Sequence, residues 1–127
     1  MILYGNLKKP NPAERFFPVP KEIFMLELSP GELAVYFYLM YCEDRKTYKC
    51  YPSYTTIGRA VGMSKNSVRK HVAGLVDKRL ITTEQTRIMT KDGRRHNGSL
   101  LYTILPIQQA VDFYYEQKLM DMRKQPR

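Results

Sequence analysis

Residues 51–81 read YPSYTTIGRAVGMSKNSVRKHVAGLVDKRLI. Pro52-Ser53 opens one helical pattern over roughly 54–61, with Ile57 and Val61 turned inward. Gly62 ends it, because glycine takes the left-handed cap conformation without a side-chain penalty. Ser64 then caps a second pattern over roughly 65–78, where Val68, Val72, Leu75 and Val76 recur at i, i+4, i+7 and i+8. Two helices joined by so short a turn must cross steeply. The second carries Lys65, Arg69 and Lys70 on the side away from its valines. That side is either a solvated basic face or a surface that enters a nucleic-acid groove.

After Arg79 the period changes from helical to extended. Leu80–Thr90 is rich in threonine and isoleucine, and Ser99–Leu105 matches it as a partner strand. Between them KDGRRHNG contains Asp-Gly and Asn-Gly, so the spacing predicts a hairpin with a basic tip. Upstream, Ser29-Pro30-Gly31-Glu32 starts a helix: Ser caps, Pro fills the first position and Glu completes a capping box. That helix runs through ELAVYFYLMYCED with Leu33, Tyr36, Phe37 and Met40 at core spacing. Arg45-Lys46-Thr47 ends it, and a short strand is expected within Tyr48–Tyr51.

The ends of the chain read differently. Pro10, Pro12, Pro18 and Pro20 make the first 28 residues an extended arm. Its Phe16, Phe17, Val19, Ile23, Phe24 and Leu26 are expected to pack onto the domain. Pro106 starts a last helix over roughly 107–122, with Ile107, Val111, Tyr114 and Met122 near one face. The expected organisation is an arm at 1–28, a central domain at 29–105, and a helix with tail at 106–127. The expected fold class is mainly α with a small β-hairpin wing, α+β.

Composition narrows the function. The 127 residues suit one domain, and 43% hydrophobic content suffices for a core. No run of about 18 apolar residues exists to span a membrane. The start, MILYGNLKKPNP, lacks the apolar core of a signal peptide, so a cytoplasmic location and no membrane partner are expected. Cys42 and Cys50 lack CxxC spacing, and His71 and His96 lie far apart. These read as reduced thiols and isolated imidazoles, with no metal and no cofactor.

Net charge is +9, and its location says more than its size. Residues 58–96 hold 10 basic and 3 acidic groups, whereas the segments on either side are each near +1. A clustered positive charge binds an anionic polymer through counterion release. A membrane surface also attracts cations, but this helix has a Val/Leu face without Trp/Phe anchors. A tyrosine-dependent strand-cleaving enzyme would need clustered histidines or carboxylates holding a metal beside Tyr114-Tyr115. His71 and His96 do not supply it, so no enzyme is expected.

Four segments carry a resemblance: FFPVPKEIF at 16–24, LSPGELAVYFYL at 28–39, the stretch 51–81 and NGSLLYTI at 97–104. In these the chain resembles bacterial winged helix-turn-helix domains. In particular it is similar to the N-terminal domain of replication initiator A proteins of plasmids and conjugative elements, and of phage replisome organisers. The resemblance implies DNA replication as the role, origin repeats as the DNA and host replication proteins as partners. Initiators of this kind are usually longer than 127 residues, so a further domain is expected beyond the 107–122 helix. The chain departs from the family where Gly58 stands for the usual alanine, and where Arg79-Leu80-Ile81 replaces Gly-Leu-Ile. Gly58 is expected to weaken its helix by up to ~1 kcal/mol relative to alanine.

If 65–78 is a recognition helix, Lys65, Asn66, Ser67, Arg69, Lys70 and Ala73 meet base edges in the major groove. Arg69 or Lys70 suits guanine O6/N7, and Asn66 suits adenine N6/N7. Ser64 and the first helical amides suit a phosphate. Arg94, Arg95 and His96 at the wing tip, with Lys91 and Arg87 on the strand, suit the backbone or minor groove. Tyr54, Thr55 and Thr56 begin the supporting helix and reach the backbone. His71 flanks the core stripe and reads as packed or phosphate-facing. Any one of these residues reads equally as a solvated surface group; the concentration of charge beside a basic wing favours duplex DNA for the set. The alternative role is a transcriptional regulator of the same fold, bound to operator repeats and made a homodimer by the C-terminal helix.

Overall fold

The computed structural model describes residues 15–124 except 90, 92 and 94, and gives the backbone alone for 88, 89 and 95–97. A 3-10 turn (Lys21–Met25) leads into α1 (Pro30–Cys42), β1 (Lys49–Cys50), α2 (Tyr54–Val61) and α3 (Lys65–Asp77). Then follow β2 (Ile81–Met89), β3 (Arg95–Ile104) and α4 (Ile107–Lys124).

Each helix begins where the sequence supplies a cap. Ser29 Oγ accepts from the Glu32 amide (3.1 Å) while the Ser29 amide donates to Glu32 Oε1 (2.8 Å), completing the capping box of α1. Ser53 and Ser64 cap α2 and α3 in the same way, each accepting from the amide three residues on. Gly62 lies at φ 73°, ψ 39°, the left-handed cap that separates α2 from α3.

Three antiparallel strands form the sheet, in the order β1-β3-β2. Ile81 faces Ile104 and Lys49 faces Thr103, so β3 is central at its C-terminal end. Its N-terminal end pairs with β2 alone. Three helices capped by a small sheet with a long hairpin make a winged helix-turn-helix of the α+β class. Among the described residues no helix is long and apolar enough to cross a membrane, and no three His, Cys, Asp or Glu side chains could share a metal ion.

The core joins Val35, Tyr36 and Leu39 of α1 to Ile57, Val68, Val72 and Leu75, with Leu80, Ile81 and Tyr102 beneath. Several expectations need correction here. In α1, Tyr36 and Met40 are buried as expected, Val35 and Leu39 are buried with them, and Leu33 and Phe37 are only half-buried on the flanks. Of the arm's apolar residues, Ile23 and Leu26 enter the core, but Phe16 and Phe24 stay 70% and 78% exposed. In α4, Ala110 and Val111 are buried, Ile107 and Tyr114 pack against the core as expected, and Met122 is exposed. A 3-10 turn brings Ile23 and Leu26 inward while its intervening residue points out, a geometry that composition alone does not reveal.

α1 and α3 cross at two glycines. A Cβ on Gly31 would overlap the His71 ring, and a Cβ on Gly74 would overlap the Glu32 carboxylate. Each helix thus accepts a polar side chain of the other. His71 is packed against α1, the first of its two expected roles.

Gly58 is buried where a Cβ would overlap the Met63 carbonyl oxygen. Met63 also donates its amide to the Gly58 carbonyl (2.9 Å). The expected penalty of glycine in α2 is therefore set against a close approach of the turn that alanine would obstruct.

Candidate nucleic-acid interface

The outward side of α3 is built by its inward side. Val68 and Leu75 are completely buried and Val72 nearly so, which fixes the rotation of the helix. Asn66, Lys70 and Ala73, at i, i+4 and i+7, then form the stripe opposite the core, and all three are exposed. Lys65 and Arg69 lie on the flank toward α2 and the wing, also exposed. Ser67 departs from the expectation. It is half-buried, its amide donates to Ser64 Oγ (3.2 Å), and its Oγ accepts from Ser64 (3.0 Å). The helix cap thus occupies both serines, and Ser67 lies outside the exposed stripe.

Arg69 is held in place. Its guanidinium sits 5.8 Å from the centroid of the Tyr54 ring, a cation–π distance that biases the long side chain toward the start of α2. Between this pair and the wing lies an open cleft of about 660 Å³. Lys65, Arg69, Tyr54 and Thr55 form one wall, and Gln85, Ser99 and Leu100 form the other. Thr56 is not part of it: its hydroxyl pairs with Ser53 Oγ (2.9 Å), and it lines a separate groove with Lys49 and Tyr51.

The wing side is shaped by a β-bulge. Gln85 faces Leu100 but Arg87 faces Asn97, so β3 carries one extra residue at Gly98-Ser99. Gln85 Nε2 donates to the Gly98 carbonyl (2.7 Å), and the Thr86 hydroxyl donates to the Ser99 carbonyl, closing the bulge with side chains. Arg87 and Lys91 lie beyond it, exposed. The predicted loop at 91–98 is shorter than expected. β3 begins at Arg95, whose backbone faces Met89, and His96 faces Ile88. Arg95 and His96 are therefore strand residues, because both strands continue past the bulge instead of ending at Asn97-Gly98. Arg94 lies outside the described residues.

Three cleft residues carried no functional signal in the sequence: Gln85, Ser99 and Tyr102. Tyr102 lies in the cleft wall completely buried, its hydroxyl without a hydrogen-bond partner among the described residues, and burial raises its pKa well above the usual phenol range. Only the pairing of β3 with β1 and β2 brings these three beside Arg69.

Not all of the clustered charge faces outward. Lys78 Nζ donates to Glu32 Oε1 (2.8 Å) and to the Glu27 carbonyl (3.1 Å). Burial pushes the Glu32 carboxyl up, but the bonds from Lys78 and from the Ser29 amide together hold it below the usual value. Arg79 places its guanidinium 4.8 Å from the Phe113 ring centroid on α4. Lys78 is thus tied to α1 and Arg79 to α4.

The family comparison agrees with this architecture. A family model described as a helix-turn-helix domain matches residues 26–81. A possible transcriptional regulator from Methanosarcina mazei Go1 is similar in structure at 16% identity. That match covers 80% of this chain and 82% of the other, with a TM-score of 0.49. Bordetella bronchiseptica BpsR, whose DNA binding is regulated by 6-hydroxynicotinic acid, is similar at 17% identity and a TM-score of 0.42. There the match covers 75% of this chain and 60% of the other. No curated protein matches the sequence. Residues 26–81 thus match a helix-turn-helix domain, and the β2–β3 hairpin adds a wing to that region.

Proposed function

We propose that the chain reads duplex DNA with α3 in the major groove and the wing on the backbone or minor groove, as part of a bacterial replication initiator of a plasmid, conjugative element or phage. One observation carries the DNA reading: the exposed stripe Asn66-Lys70-Ala73 adjoins a basic cleft shared by α3, α2 and the wing. Side chains on the stripe reach base edges, and Lys65 with Arg69 meets the phosphates flanking them. Arg94, Arg95 and His96 extend the contact along the wing. Binding and positioning are the whole of this activity, so it involves no catalytic step.

The replication role is supported by the segments at 16–39, 51–81 and 97–104 that resemble initiators. A dimeric transcriptional regulator is the second reading, and α4 favours it. Tyr115, Leu119 and Met122 recur at i, i+4 and i+7, and each is more than half exposed. Such a stripe suits a second copy of the helix. Selecting bound duplexes from a random pool separates the two. Enrichment of direct repeats supports an initiator, and a palindrome supports the dimer. Absence of any enriched sequence would overturn base reading itself, and sedimentation as a monomer at high concentration would remove the dimer.

A further inference from the structure

A second cavity, of about 490 Å³, shares no lining residue with the cleft beside α3. It is formed where the arm, α1, and the junction of β3 with α4 meet. Its size is that of a small-molecule pocket. Pro20, Tyr36, Met40, Ile104 and Ile107 give it apolar walls. Glu43, the residue that ends α1, supplies its one charged side chain. Glu43 Oε2 is buried and has no hydrogen-bond partner among the described residues. Every other buried side-chain oxygen or nitrogen in the described structure is partnered, apart from the Tyr102 hydroxyl.

We propose that this cavity binds a small organic cation, an apolar body bearing a protonated amine, with the amine on Glu43 and the body against Met40, Ile104 and Ile107. The assignment rests on charge and shape. Glu43 is the one charged side chain in a largely apolar lining, and an ammonium group supplies donors and charge together. Apart from the Tyr36 and Tyr48 hydroxyls the other lining side chains are apolar, which suits an apolar ligand body. Burial raises the Glu43 carboxyl while Arg45 opposes the shift, as expected for a group still lacking a close cation. An anionic ligand is disfavoured by the same carboxylate. This binding is independent of the DNA reading, since α3 and the distal wing do not line the cavity, which β3 reaches only at Ile104.

Phenethylamine and its neutral counterpart 2-phenylethanol are suitable probes, titrated into the full chain and followed by methyl resonances. The amine should perturb Met40, Ile104 and Ile107 and bind roughly tenfold more tightly than the alcohol, from the charge-assisted bond. Glu43→Gln should remove that preference while leaving the weaker binding of the alcohol intact, which also shows that the variant is folded. Equal affinity for the two probes in the parent chain would overturn the proposal. So would perturbations confined to other residues, or none up to the solubility limit. A shift of the cavity resonances with protein concentration alone would assign the cavity to a second copy instead, and overturn it likewise.

Discussion

Two groups of cations sit at opposite ends of α3 and do opposite work. At its start, Lys65, Arg69 and Lys70 are exposed, and Arg69 has the Tyr54 ring beside it. Just past its end, Lys78 is bonded to Glu32 and Arg79 lies over Phe113, so both hold the helix to its surroundings. The sequence shows the same residue types in both places. What separates them is the partner each meets: α1 brings a buried carboxylate to one end, and among the described residues no acidic side chain pairs with the other. Positive charge near a helix N-terminus is also intrinsically unfavourable, which makes an anionic partner there more stabilising.

The sharpest way to break this comparison is to remove charge at the start. Arg69→Ala with Lys70→Ala should weaken binding to a selected duplex by about 3 kcal/mol, roughly a hundredfold, and relax its sequence preference. Thermal stability should barely move. Unchanged affinity in a fluorescence-anisotropy titration at fixed salt would sink the recognition role of α3.

The next largest effect is expected at the other end and in the other observable. Lys78→Met leaves the buried Glu32 carboxylate without its cation and should cost about 2 kcal/mol of folding stability, read by chemical denaturation, with DNA affinity intact. Its pH dependence follows from the lowered folded-state pKa of Glu32. The contribution is fully present above the unfolded value near 4.5 and is lost as pH falls through the lower folded value. Parent and Lys78→Met stability curves should therefore converge below pH 4.5. A constant gap down to lower pH would refute the ion pair.

The wing extends the comparison. Arg94→Ala with Arg95→Ala should weaken binding to every sequence by about tenfold and flatten the salt slope by about 2 units, assigning the wing to the DNA-facing group. An unaltered slope would leave it a solubilising tip. The smallest effect belongs to Arg79. Arg79→Ala keeps the backbone strained, at φ 66°, and deletes the contact with Phe113. A stability loss of about 1 kcal/mol is expected, with no effect on DNA.

Much of this was legible in the residues. Ser29, Ser53 and Ser64 announce three helices because capping is local chemistry, and the valine spacing of α3 fixes which side faces out. The bulge at Gly98-Ser99 was not legible, because Asn97-Gly98 carries the same turn signal whether it closes a hairpin or bends a strand. Gln85 and Tyr102 join the cleft only through strand pairing, a long-range relation without a local pattern. Gly58 and Arg79 were seen as departures from a family, but their reasons lie in space. Gly58 makes room for the Met63 carbonyl, and Arg79 adopts the left-handed backbone that glycine adopts easily.

β3 carries one further consequence. It is ten residues long, about 33 Å at ordinary strand rise, and its two ends are held differently. Thr103 and Tyr102 are bonded between β1 and β2, whereas the stretch before Leu101 has β2 alone. Amide hydrogen exchange should divide this single strand into two kinetic classes, with the half at Tyr102 opening only when the whole domain unfolds. The half toward Arg95 should open by itself, many times before that event. On the proposed DNA reading, a wing built this way adjusts to the groove repeatedly without loosening the helices beneath it.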